Sequence, residues 1–271
     1  MDSSLFLIHY IKSIWTPKRA FRNRKQLSWP QIFIIFLFLT FLMALPVYRY
    51  YSSIETFSIQ DFFPNAVQLI DEEAVDALSK AEYSNNQLLL EGDSYSMESA
   101  NGFLEIGRNS EQFPILEENK NAVIFGKDSV LLSDENGSSE IIPYLSNHSF
   151  ESVDNVDELI DTINQLYTTQ KGSSLVWTFT FVIYLFILAA FLFIVFIYAY
   201  LLYLMKDFTV SPILSYRESV NLILNLLGIP TMLALVYGFI RFNVLNMLAI
   251  QIISLIIILI VSFRQLRTSN K

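Results

Sequence analysis

Four apolar runs decide what this chain can become. Ile32 to Val47, Leu175 to Met205, Val220 to Ile240 and Val244 to Phe263 contain no Asp, Glu, Lys or Arg. A bilayer core takes about 20 apolar residues of helix. Backbone polar groups in lipid must be satisfied within the segment itself. Each run is therefore expected to be a transmembrane helix. A hydrophobic content of 53% and a mean hydropathy of +0.41 fit that class. The first run starts too far into the chain to be a cleavable signal peptide. It is also too long, and no small-x-small cleavage site follows it.

The second run is unusual. Its 31 residues would make about 46 Å of helix at 1.5 Å per residue, against a core of about 30 Å. One long tilted helix is expected there.

The charges are segregated. Between Tyr50 and Gly172 lie twenty-three Asp or Glu and five Lys or Arg; elsewhere there are three acids and thirteen bases. Lys12, Lys18, Arg19, Arg22, Arg24 and Lys25 precede the first run, Lys206 and Arg217 separate the second from the third, and Arg264, Arg267 and Lys271 follow the fourth. Basic flanks mark the cytoplasmic side, so these clusters read as topology anchors. The layout expected is a cytoplasmic basic amphipathic segment (1–30), helix 1 (31–50) and an acidic extracytoplasmic domain (51–173). Helix 2 (174–205), a cytoplasmic loop (206–218), helix 3 (219–240), helix 4 (244–263) and a cytoplasmic tail (264–271) follow. Both termini are then cytoplasmic. Trp15, Trp29 and Tyr48 to Tyr51 suit the interfacial aromatic belts. Leu5 to Trp15 fits an amphipathic helix lying on the inner leaflet, with membrane lipid as its partner.

No span carries a charge, which weighs against transport or proton relay. Asn221 and Asn225 share one face of helix 3, Gly228 and Pro230 follow, and Gln251 and Ser254 lie on one side of helix 4. Interhelical hydrogen bonding is expected at these positions. Pro230 should kink its helix.

The acidic domain reads as α+β. Apolar pairs at helical spacing predict a helix from Pro64 to Glu82. Strands are expected at Gln87–Glu91, Gly102–Ile106, Ala122–Phe125, Val130–Ser133 and Glu140–Tyr144. Asp134-Glu135-Asn136-Gly137 reads as a hairpin turn, and Asp154 as the N-cap of a helix running toward the second span. The fold class is thus an α-helical integral membrane protein of four transmembrane helices, with an extracytoplasmic α+β domain inserted between helices 1 and 2.

Chemistry is sparse. There is no Cys and only His9 and His148, so neither disulfides nor a thiolate site can form. No Gly-x-Ser-x-Gly, HExxH or P-loop is present. Asp71-Glu72-Glu73 and Glu117-Glu118 lack EF-hand spacing and read as solvated faces. Asn136-Gly-Ser138 and Asn147-His-Ser149 match glycosylation sequons. No catalytic residue, metal site or cofactor is expected, and the net acidity argues against nucleic acid.

"IKSIWTPKRAFRNR" before the first span and "SYRESVNLILNLLGIPTML" opening the third carry a resemblance. The chain resembles a bacterial multi-pass membrane family classed as a domain of unknown function, some of whose members are labelled maltodextrin utilisation proteins. The second stretch is also similar to Yip1-like membrane proteins, with Tyr216, Arg217 and Pro230 as matching positions; Pro17 and Lys18 are the family-motif positions of the first stretch. The family's outer domain carries a Gly-rich turn with acidic residues, which "SANGFLEIGRN" fits loosely. The resemblance implies a non-enzymatic accessory or scaffold that binds itself or other membrane proteins, a carbohydrate ABC permease among them. An extracytoplasmic ligand sensor with exposed aromatics is the second reading, and a transporter or channel subunit the third.

Overall fold

The computed structural model describes residues 10, 17–89, 95–108, 120–145, 150, 153–205 and 215–269. It shows four long apolar helices with a β-sheet region between the first and second of them. The chain divides into a helical unit, residues 1–53 and 176–271, and a β unit, residues 54–175.

In the helical unit a short helix α1 (Pro17–Arg22) precedes α2 (Trp29–Ser52). Pro30 sits in the first turn of α2, where its missing N–H costs nothing, and the Gln31 side chain accepts from the Ser28 N–H at 3.0 Å. The helices α6 (Tyr216–Ile240) and α7 (Val244–Ser269) form an antiparallel hairpin. Its turn ends at Asn243, whose Oδ1 accepts from the Asn246 N–H at 2.9 Å and so caps α7. Ser215 Oγ caps α6 in the same way, accepting from the Glu218 N–H.

All four long helices are long and apolar enough to cross a bilayer. Their outward faces carry Phe33, Phe41, Phe181, Phe193 and Ile257, all exposed. An apolar exterior is what a lipid solvent requires. The inward faces pack Ile35, Leu39, Met43, Phe191 and Leu227 into one core. Gly238 on α6 sits close against Pro46 of α2 and Met247 of α7. A Cβ there would lie 2.8 Å from Pro46 Cβ and 2.8 Å from Met247 Sδ. Small residues at such points let helices pack by dispersion. Stacked rings gather Tyr50 with Phe242 and Tyr51 with Phe179, and Tyr48 packs on Trp177.

The second long helix is α5 (Val156–Leu204), 49 residues without a break. Residues 156–175 belong to the β unit and 176–204 to the helical unit. The latter stretch makes about 43 Å of helix, longer than a bilayer core.

The β unit holds a five-stranded sheet in the order β3 (Tyr95–Ser99), β4 (Gly102–Arg108), β5 (Ala122–Gly126), β6 (Ser129–Ser133) and β7 (Ser139–Pro143). Among the described strands only β4 and β5 pair in parallel. Every residue of β5 and β6 is buried, as the near-continuous apolar runs AVIF and VLL require of strands covered on both faces. Short helices α3 (Pro64–Val67) and α4 (Glu72–Ser79) pack on β5 and β4. The first turns of α5 bury Leu159, Ile163 and Leu166. Asn164 Oδ1 and Thr168 Oγ1 on that helix accept from the N–H groups of Ile59 and Phe57, both at 2.7 Å.

Several local expectations are corrected. The helix read across Pro64–Glu82 is two helices, because Asp71 breaks it. Its side chain accepts from the Ala74 N–H at 2.8 Å and starts α4 afresh, with Glu72 and Glu73 in the favourable first turn. The cap of α5 is Asn155, not Asp154. Asn155 Oδ1 accepts from the Glu158 N–H at 2.9 Å, and the Asp154 N–H donates to the Glu158 carboxylate. Two strands escaped the sequence reading, β1 (Glu82–Ser84) and β3. β1 pairs with β2 (Gln87–Leu89) through Asn85 and Asn86, at φ 53° and 62°, the backbone of a tight I′ hairpin. Leu90 and Glu91, Glu117-Glu118 and Asn147-His-Ser149 lie outside the described residues.

Candidate functional site

Two places gather polar side chains. The first is one end of the helical unit. Glu218, Asn221 and Asn225 follow one face of α6 at spacings of three and four, and all three are buried. Arg24 Nε lies 3.4 Å from Glu218 Oε2, and Lys25 Nζ 3.8 Å from Glu218 Oε1. Arg24 Nη1 also donates to the Phe21 carbonyl at 2.8 Å. One turn further, Asn221 Nδ2 donates to the Leu27 carbonyl at 3.1 Å, and the Tyr10 hydroxyl donates to the Leu224 carbonyl at 3.0 Å. Part of the basic run is therefore fastened to α6 from within the chain.

The other singled-out residues fall as follows. Arg19 and Arg22 are exposed on α1, which also contains Pro17 and Lys18; Lys12 and most of Leu5–Trp15 lie outside the described residues. Tyr216 donates to the Phe196 carbonyl at 3.3 Å and stacks on that ring, while Arg217 is exposed. Gly228 and Pro230 are buried, and α6 continues through Pro230. Gln251 Nε2 donates to Thr231 Oγ1 at 2.8 Å, joining α7 to α6. Ser254 instead donates to the Ile250 carbonyl of its own helix. Glu218, Tyr10 and Thr231 were missed as site residues. The spacing of Glu218 to Asn221 was a usable signal.

The second place is a cleft of about 610 Å³ in the β unit. Its floor is built by long-range hydrogen bonds. The fully buried Asp134 accepts from the Asn65 N–H at 2.8 Å, from Asn65 Nδ2 at 3.0 Å and from the Ala66 N–H at 3.4 Å. Burial pushes its carboxyl up, but these donors and the Asn136 N–H outweigh that and hold its pKa below the ordinary carboxylate value. Asn121 is pinned at both ends of its amide: Nδ2 donates to the Asn101 carbonyl at 2.7 Å, and Oδ1 accepts from the Glu135 N–H at 2.8 Å. The rim is the two-residue turn Ala100–Asn101 between β3 and β4, inside the "SANGFLEIGRN" stretch. Gly102 follows at φ +148°, with a hypothetical Cβ only 2.3 Å from the Asn121 carbonyl oxygen.

The domain's aromatic side chains divide sharply. Tyr83, Phe125, Tyr144 and Phe150 meet edge to face and form core. The Tyr95 hydroxyl donates to Glu73 at 3.1 Å; burial first, then that bond and the charges of Asp71 and Glu73, push its pKa up to about 12. Among the described aromatic residues only Phe103 lines the cleft. Phe113 lies outside the described residues.

Comparison with known proteins places the whole chain in context. It is 21% identical over 281 residues to YvdJ of Bacillus subtilis (strain 168), whose name assigns it provisionally to maltodextrin utilization; the match covers 100% of this chain and 93% of that one. It is 24% identical over 265 residues to the maltodextrose utilization protein MalA of Streptococcus pneumoniae (strain ATCC BAA-255 / R6), covering 94% and 93%. The chain is a distant, full-length homologue of these maltodextrin utilization proteins. No protein-family model matches it, and no solved structure does.

Proposed function

We propose that the chain is a non-enzymatic membrane protein serving carbohydrate uptake as an accessory or scaffold for other membrane proteins, a carbohydrate ABC permease being the partner that fits best. The observation that carries this reading is the full-length relation to two proteins named for maltodextrin or maltodextrose utilization. In this reading the N- and C-termini are cytoplasmic and residues 51–173 extracytoplasmic, on the strength of the basic flanks. Asn221 and Asn225 are buried within the chain's own helical unit, so a partner would meet the apolar outer faces of α5 and α7 rather than that polar face.

The test is a mild-detergent pull-down of the tagged full chain from its native cells, grown with and without maltodextrin, followed by mass spectrometry. A stoichiometric membrane partner is expected. A homogeneous preparation without one under both conditions would sink the accessory reading.

A second reading is favoured by the cleft: the β unit is an extracytoplasmic ligand-binding module. Its walls are fixed before any ligand arrives, and such preorganisation raises affinity.

A further inference from the structure

We infer that the cleft beside the β3–β4 turn binds a neutral, polyhydroxylated molecule of the oligosaccharide class, with Asn101, Gln68, Glu98 and Phe103 as its contact residues. The inference rests on the ligand-module reading and supplies its substrate class.

The first argument is size. About 610 Å³ lies within the roughly 300–1,000 Å³ of small-molecule sites. The second is which polar groups are already used. Asn121 spends both ends of its amide on the chain, and Asn65 Nδ2 is shared between Asp134 and Glu135. These residues are wall. By contrast, the side chains of Gln68, Asn101 and Glu98 make no hydrogen bond among the described residues, and all three are exposed at the cleft. Two planar amides, each able to donate and accept, and one acceptor-only carboxylate match vicinal hydroxyls, which also donate and accept.

The third argument is the strand register. Glu98 on β3 pairs directly with Phe103 on β4, and directly paired residues share a face of the sheet. Phe103 therefore offers an apolar face immediately beside a carboxylate. A pyranose has the same two-sided chemistry, with a C–H face and a rim of hydroxyls. Charge supplies the fourth argument. The lining holds Glu98 and Glu135 against Lys120, a net negative balance that disfavours phosphates and carboxylates.

The rim is held open by backbone. Gly102 takes a conformation in which a Cβ would strike the Asn121 carbonyl, so β4 runs close against residue 121. The turn that carries Asn101 is then fixed by the Asn121–Asn101 hydrogen bond.

The experiment is calorimetric titration of the purified full chain in detergent, without any partner, so that failure here leaves the accessory reading standing. The probes are three neutral trisaccharides (maltotriose, cellotriose and raffinose), with glucose 6-phosphate and spermidine as charged controls. Saturable binding of at least one trisaccharide is expected, with Kd between micromolar and millimolar. The double variant Gln68→Ala, Asn101→Ala should raise that Kd at least tenfold, and Phe103→Ala should do the same. Both substituted amides are exposed, so the double variant should melt with the wild type, which separates lost binding from lost folding. Absence of binding by all three trisaccharides overturns the proposal. So does tighter binding of a charged control, or a double variant that binds as well as the wild type.

Discussion

Glu218 Oε2 lies 3.4 Å from Nε of Arg24, with the Glu218 side chain 8% exposed and that of Arg24 16% exposed. This pair turns part of a basic flank into structure. A charge that orients a helix during insertion need touch nothing; Arg24 instead meets an acid on α6. The two groups are largely out of solvent, where an ion pair is worth keeping intact and costly to break on one side only.

The consequence is a coupling. Glu218→Ala should lower the stability of the full chain in detergent by at least about 1–3 kcal/mol, the cost of a buried polar group left unpaired, which is larger for a charged group. Arg24→Ala should cost a similar amount. The double variant should cost clearly less than the sum. Additive effects in thermal unfolding would show that the two residues act separately.

Asp134 gives a pH dependence with a definite sign. Its pKa is lowered in the folded state, against about 3.9 for an unperturbed Asp. The ionised group therefore contributes stability that is fully present above the unfolded value. That stability is lost as pH falls through the lower folded value. Asp134→Asn removes this contribution and sets amide N–H donors against the Asn65 and Ala66 N–H groups. At neutral pH the variant should be less stable by on the order of 1–3 kcal/mol. It should also lose less further stability than the wild type on acidification toward about pH 3. Melting curves of both chains at neutral and acid pH decide this; parallel pH profiles would rule out the hydrogen-bonded carboxylate as their cause.

The spans were legible because a bilayer demands long apolar runs, and Ile32–Val47 or Val244–Phe263 can be little else. The buried strands β5 and β6 were legible for a related reason, since AVIF and VLL must be covered on both faces. What stayed hidden was polar. β3, Tyr95–Ser99, is mostly exposed, so no apolar alternation marks it, and only pairing with β4 makes it a strand. The Pro64–Glu82 periodicity was real, but a single cap at Asp71 reset the helix, and periodicity does not record caps. Of the cleft only the rim, within "SANGFLEIGRN", was singled out; its walls were not. Asn65, Asn101, Asn121 and Asp134 are scattered in sequence, and only the sheet and α3 bring them together.

Two glycines should respond differently to the same substitution. Gly137 sits at φ +84° with nothing within 4 Å of a hypothetical Cβ. Gly137→Ala then meets only the left-handed backbone penalty, about 1–2 kcal/mol. Gly102→Ala adds a collision with the Asn121 backbone carbonyl, at 2.3 Å, which cannot rotate away as a side-chain tip could. It should destabilise the chain more than Gly137→Ala and displace the β3–β4 turn. Equal melting temperatures for the two variants would show that β4 has room to move away from residue 121.

The exposed basic residues and Arg24 can be separated in a topology experiment. Arg19 and Arg22 are exposed on α1, whereas Arg24 is tied to Glu218. If positive charge ahead of α2 keeps that end cytoplasmic, reversing Lys18, Arg19 and Arg22 to Glu should disturb orientation while leaving the ion pair in place. The chain has no cysteine, so Asn136→Cys in the exposed β6–β7 turn is a clean reporter. In intact cells with the wild-type flank, a membrane-impermeant maleimide should label it. With the reversed flank, labelling should fall and be recovered only after the cells are opened. Labelling that stays complete with the reversed flank would mean that Lys206, Arg217, Arg264 and Arg267 set the orientation without the N-terminal run. The remaining role of that run would then be structural, through Arg24, Lys25 and Glu218.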